Sequence, residues 1–295
     1  YIIIYIYMLE FSLEDVYMFL YIYFFAPLFL LNGCHAFDST EQNLPESKNT
    51  TNMTSIEITN GNKGETPYTN FYTIVDSSCT FHLGAFVNDK NLTKFSIDIS
   101  ENVIFNYGLF ENCEILQKVT IGDSVTSIFD KTFRECRSLS SINQDPSGIN
   151  TLPDKVTRIG YYAFSKCTSL TNLLIPDSVL IIDSYAFLDC FELKNVTIGN
   201  SVTSIGYKAF QNCNDLTEVT IGNSVKTIGN YAFYYCTDLT KVTIGNSVKT
   251  IGNYAFLDCR NLENVTIPDS VTSIGTQAFE GCSRLTDVSM GDSVL

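Results

Sequence analysis

The residues with the most chemical capacity in this 295-residue chain are its ten cysteines. Thiols in such number serve disulfide frameworks, metal sites or nucleophilic catalysis, and their spacing decides among these. Eight fall at Cys113, Cys136, Cys167, Cys190, Cys213, Cys236, Cys259 and Cys282, with successive gaps of 23, 31, 23, 23, 23, 23 and 23 residues. A zinc site needs clustered ligands such as C-x-x-C, and no such pair occurs. Neighbouring thiols of such an array come within reach of one another, but parallel side chains suit a disulfide poorly. The spacing therefore predicts a structural ladder of small, buried, free thiols. Cys34 and Cys79 stand outside it with no obvious partner.

Other chemistry is short of residues. There are two histidines, His35 and His82, and no tryptophan. His82 lies between Phe81 and Leu83 and reads as packing. Gly199-Asn200-Ser201-Val202-Thr203 has the outline of a nucleophile elbow without its last glycine. Similar turns recur at Gly122, Gly222, Gly245 and Gly291, and a nucleophile is not copied into every repeat. No H-E-x-x-H, P-loop or G-x-G-x-x-G occurs. The expectation is a protein that is not an enzyme and needs no cofactor or metal. A net charge of −14 repels phosphate backbones and argues against a nucleic-acid partner.

The elements that hold the cysteines are equally periodic. Phenylalanines keep the same register three positions earlier, from Phe110 to Phe279, and Phe86 opens a degenerate first unit. Within one unit, Leu216-x-x-Val219-x-Ile221 ends in the alternation of a half-buried strand. Gly222-Asn223-Ser224 is turn chemistry, and Pro176 or Pro268 takes the glycine's place elsewhere. Val225-x-x-Ile228-Gly229 is a second extended piece. Ala232-Phe233-x-x-Cys236 has near-helical spacing and predicts a short helical or 3-10 turn. One unit cannot close a core, whereas stacked units can. The fold class expected is an α/β repeat solenoid of 23-residue coils, with parallel strands on one face. About nine coils fill residues 73–295, with an insertion near 144–151 and an incomplete last coil. No polar cap follows, so the stretch reads as a fragment or as continuing in another form.

The pattern C-x-x-L-x-x-V-x-I-[PG]-x-S-V-x-x-I-G-x-x-A-F resembles the BspA-like, Treponema-type leucine-rich repeat. The resemblance runs from about Phe86 to Met290, roughly 70% of the chain. It implies a secreted or cell-surface protein of the kind found in bacteria and parasitic protists. It also implies adhesion, with a protein or glycan ligand on a host or neighbouring cell as the partner.

Two segments precede the repeats. Residues 1–36 contain the apolar run Val16 to Leu31, broken by Pro27, and a small residue at Ala36. They read as a signal peptide or membrane-targeting segment, although no Lys or Arg occurs before Lys48. Any membrane contact is expected through this segment alone. Residues 37–72 form a polar arm rich in Asn, Thr and Ser. N-x-S/T triplets stand at Asn49, Asn52, Asn91, Asn195 and Asn264.

With no catalytic inventory, function must lie in surface. Outward strand positions give a polar row whose members are candidates for a binding face: Lys118, Asn172, Asn195, Glu218, Lys241, Asn264 and Asp287. The turn before Ala-Phe gives an aromatic row, Tyr162, Tyr185, Tyr231 and Tyr254, open to a binding or a packing role. The function expected is a non-enzymatic, exported interaction module, adhesive through an extended solenoid face. The alternatives are a structural surface-coat component and an intracellular scaffold whose true start lies further along.

Overall fold

The computed structural model describes residues 70–74, 86–97 and 107–291. The targeting segment, nearly all of the polar arm, Cys34, Cys79, His82 and the sequons at Asn49 and Asn52 lie outside the described residues. The chain divides into two units, Tyr1–His35 and Ala36–Leu295, and every described residue belongs to the second.

Alternating apolar and polar residues form short parallel strands because each coil offers its backbone only to the coils before and after it. The strands make three sheets. The first holds β1 (Asn70–Ile74), β2 (Leu92–Ile97), β3 (Lys118–Thr120) and β5 (Ser141–Ile142). The second continues the same side of the solenoid with β6 (Asn150–Thr151), β8 (Asn172–Ile175), β10 (Asn195–Ile198), β12 (Glu218–Thr220), β14 (Lys241–Thr243), β16 (Asn264–Ile267) and β18 (Asp287–Met290). The third comes from the second extended piece of each coil: β4 (Ser127–Ile128), β7 (Arg158–Ile159), β9 (Ile181–Ile182), β11 (Ser204–Ile205), β13 (Thr227–Ile228), β15 (Thr250–Ile251) and β17 (Ser273–Ile274). The solenoid thus carries parallel strands on two sides, where one strand face was expected. β1 takes in Asn70 to Tyr72, which composition alone assigns to the arm.

The insertion splits the first side into two sheets. β5 pairs with β3, the chain loops out, and β6 starts the next sheet against β8. Two asparagine side chains act there as surrogate peptide groups, Asn150 across the seam and Asn143 between the coils of β3 and β5. Buried Asn150 accepts the Ile142 N–H at 2.8 Å through Oδ1 and donates Nδ2 to the Ser140 carbonyl at 3.2 Å. Asn143 accepts the Ile121 N–H at 2.7 Å and donates to the Ile121 carbonyl at 2.8 Å. The loop tip is an Asx turn in which Asp145 accepts from Ser147 and Ile149.

The expected helical or 3-10 turns are absent: among the described residues there is no helix of either kind. The Ala-Phe-x-x-Cys segment closes by i→i+3 hydrogen bonds, such as Cys236 N–H to the Phe233 carbonyl and Leu239 N–H to the Cys236 carbonyl. Two residues per coil sit in the left-handed region, such as Tyr231 at φ 56° and Tyr235 at φ 62°. Left-handed residues four apart interrupt any helix. Alternate N–H groups also point at the next coil, as in Tyr231 to Asn253, Phe233 to Ala255 and Tyr235 to Leu257. Near-helical spacing here records an inward-facing turn whose hydrogen bonds go to its neighbour.

The core is a set of ladders. The ladder Leu, Val, Ile, Ala, Phe and Cys are almost wholly buried in the coils up to Val271, whereas in the last coil Ile274, Phe279, Cys282 and Leu285 are half-buried and Val288 is exposed. Phenylalanine rings from Phe110 to Phe279 stack at centroid distances of 4.9–5.2 Å and within 15° of parallel. Offset stacks of this kind add about 0.5–1.5 kcal/mol per pair beyond their burial.

Candidate binding surfaces

Each thiol of the ladder does one job. Its Sγ donates to the phenylalanine carbonyl of the preceding coil, from Cys113 to Phe86 at 2.9 Å through to Cys282 to Phe256 at 3.2 Å. From Phe110 to Phe256, the same carbonyl also accepts the N–H of the cysteine three residues on. Seven of the eight cysteines are buried, Cys282 is half-buried, and all are free. Burial pushes the Cys113 thiol up to about 12 and the Cys282 thiol to about 11, and raises the other six as well. A thiol so held is protonated and unreactive at neutral pH. Among the described residues no group of His, Cys, Asp or Glu could hold a metal ion.

The polar strand row is only partly continuous. Asn172, Asn195, Glu218, Lys241, Asn264 and Asp287 are direct register partners along the second sheet. Lys118 is not beside them: it pairs with Ser141 in the first sheet, on the far side of the insertion. Within the row, Asn195 Nδ2 donates to Asn172 Oδ1 at 2.9 Å, and Lys241 lies 4.0 Å from Glu218. These are solvent-screened contacts, so the side chains are held in register without being locked. Two residues further along, Leu174, Thr197, Thr220 and Thr243 form a second outward row.

The aromatic row is gathered into two pairs. Tyr162 and Tyr185 stack at 4.6 Å and 11°, and Tyr231 and Tyr254 at 4.6 Å and 18°. All four have φ between 55° and 60°, which a bulky side chain rarely adopts. Tyr161 and Tyr207 pack edge-on against the pairs. Lys208 fills the gap between them, 5.2 Å from the Tyr207 ring and 5.4 Å from Tyr231. Within each pair the rings face one another, which commits those faces to stacking. Burial, with Tyr162 and Tyr207 nearby, pushes the Tyr185 hydroxyl up to about 12.

A charge cluster beside this row was not singled out from sequence. Glu135 meets Lys166 at 3.0 Å, Arg137 at 3.2 Å and Arg134 at 3.5 Å, and Arg134 reaches Glu111 at 2.8 Å. Burial raises the Glu135 carboxyl, but bonds from Lys166 and Arg137 outweigh it and hold the group below its ordinary value. The signal was available: one coil, or one coil plus the insertion, separates these residues.

Comparison with known proteins places these surfaces in context. A family profile described as "BspA type Leucine rich repeat region" matches in six copies over residues 79–215, 149–259 and 203–295. The crystal structure of a leucine-rich-repeat protein of Treponema pallidum is similar at 31% identity and a TM-score of 0.50, over 57% of this chain and 78% of that one. A leucine-rich cell-surface protein of Faecalibacterium prausnitzii has 25% identity and a TM-score of 0.41, over 75% and 78%. A leucine-rich-repeat protein of Bacteroides ovatus has 23% and 0.33, over 82% and 89%. No curated protein matches.

Proposed function

Since the chain belongs to the BspA-type leucine-rich-repeat family, we propose that it is an exported, non-enzymatic adhesion module that binds a macromolecule on a host or neighbouring cell. Repeat proteins of this architecture are protein-interaction scaffolds that bind along an extended face. The observation that carries the reading is the register row from Asn172 to Asp287. Six consecutive coils present outward polar side chains of mixed charge on one sheet. Such a row suits a partner with complementary, evenly spaced polar groups. The apolar run in residues 16–31 supports export.

Protease shaving of intact cells, with released peptides identified by mass spectrometry, tests export. Peptides from the repeats in the shaved fraction support it, and their appearance only after lysis sinks it. A second assay measures binding of the purified chain to immobilised matrix proteins and to whole cells. Glu218→Lys with Lys241→Glu swaps the row's central charges, and unchanged binding by that double variant would remove the strand face from the reading.

A further inference from the structure

One concavity among the described residues is not part of that row. It is a groove of about 850 Å³ at the corner after the second sheet's strands, and it crosses five coils, from Asp154 to Asn246. In three consecutive coils it repeats one set of groups: Thr197, Gly199 and Asn200; Thr220, Gly222 and Asn223; Thr243, Gly245 and Asn246. The glycines let the coils approach: a Cβ on Gly222 would fall 2.3 Å from the Gly199 carbonyl oxygen. Bare backbone therefore floors the groove between a rail of threonines and a rail of asparagines, all exposed.

The asparagines do more than the fold asks. Asn223 N–H donates to Asn200 Oδ1 and Asn246 N–H to Asn223 Oδ1, at 3.3 and 3.1 Å. Asp177 holds the Asn200 N–H in the same way at 2.6 Å, so a carboxylate serves the backbone equally well. The coils bearing Pro176 and Pro268 do carry aspartate there. Only asparagine adds an NH₂ group, and among the described residues the Nδ2 atoms of Asn200, Asn223 and Asn246 have no hydrogen-bond partner. The three-coil stretch thus offers one amide donor and one hydroxyl per coil, with a carboxylate at its Asp177 end that disfavours anions.

Spacing selects the ligand. Parallel strands place the coils about 4.8 Å apart, whereas an extended peptide rises about 3.3 Å per residue and falls out of step. A β-1,4-linked pyranose chain advances by roughly one coil per sugar. Successive sugars are flipped, so each rail meets the hydroxyl edge and the hydroxymethyl edge in alternation, and both edges donate and accept. We propose that this groove binds a neutral β-1,4-linked glycan lying along the solenoid axis. The site adjoins the polar row, since Thr197, Thr220 and Thr243 stand two residues beyond Asn195, Glu218 and Lys241 on the same strands, but it uses none of that row's side chains.

The test is isothermal titration of the full chain with cellohexaose, chitohexaose and the α-linked maltohexaose. Binding of cellohexaose or chitohexaose is expected, and which binds tighter identifies a glucan or an acetamido-glucan source. Asn223→Asp keeps the Asn246 bond but removes the donor, and Thr220→Val removes the hydroxyl at constant shape. Each should weaken binding at least tenfold, worth about 1.4 kcal/mol, with the thermal melt unchanged. Lys249→Ala, outside the groove, should bind as the parent does. The proposal is overturned if neither β-linked hexamer binds, if maltohexaose binds as well, or if Asn223→Asp binds unaltered.

Discussion

Alkaline pH should unfold this protein abruptly, and the thiol ladder sets where. A thiol in the unfolded chain ionises near pH 9. In the folded chain, burial raises that value at every rung. A raised folded pKa means that the contribution to stability is complete below about pH 9 and is lost as pH climbs toward the folded value. At one unit above the unfolded value, each thiol that ionises only when unfolded costs about 1.4 kcal/mol. Seven buried thiols together cost about 10 kcal/mol, comparable with the roughly 5–15 kcal/mol that holds an ordinary domain folded. The assay is an anaerobic alkaline titration followed by far-ultraviolet circular dichroism and by thiolate absorbance. One cooperative transition is expected near pH 10, with thiolate appearing in step with unfolding. Thiolate appearing near pH 9 at constant ellipticity would refute the reasoning, as would a fold intact at about pH 11.5. Cys213→Ala should lower the pH dependence of stability by about 1.4 kcal/mol per unit.

Three further outcomes follow from the same geometry. Asn150→Ala strands the Ile142 N–H and the Ser140 carbonyl at the seam, and should cost about 2–4 kcal/mol in denaturant unfolding. Gly222→Ala forces a methyl into the preceding coil's carbonyl oxygen, and should cost about 2–3 kcal/mol by thermal melt, where an exposed Asn223→Ala costs little. The Glu135 carboxyl is held below its ordinary value, so its contribution is present above about pH 4.5 and is lost as pH falls through its folded value. Melting temperature against pH should therefore fall less on acidification for Glu135→Gln than for the parent.

Coil length, the inward Leu, Val, Ile, Phe and Cys, and both extended pieces were legible because a 23-residue period multiplies each weak local signal eightfold. The turn was misread because Ala232-Phe233-x-x-Cys236 satisfies helical spacing equally well, and only the left-handed backbone at Tyr231 and Tyr235 excludes a helix. Tyrosine at such a position carries no warning, as glycine or asparagine would. The isolation of Lys118 was hidden for a different reason. The insertion shows in the sequence as a gap of 31, but its splitting of the sheet depends on where the chain re-enters, which Asn150 decides. The groove went unnoticed because Gly-Asn-Ser reads as turn chemistry, and the surplus amide appears only once each backbone partner is known.

Among the described residues, the backbone bonds of the repeats either close a turn within one coil or join that coil to the next, and none bridges coils further apart. This matters for a chain held under tension. A force on its ends loads one rung at a time, like a zip, instead of shearing a whole sheet at once. Each released coil frees 23 residues, or about 75 Å of extended chain. The molecule would yield in even, modest steps, lengthening as a shock absorber does while its remaining coils stay intact.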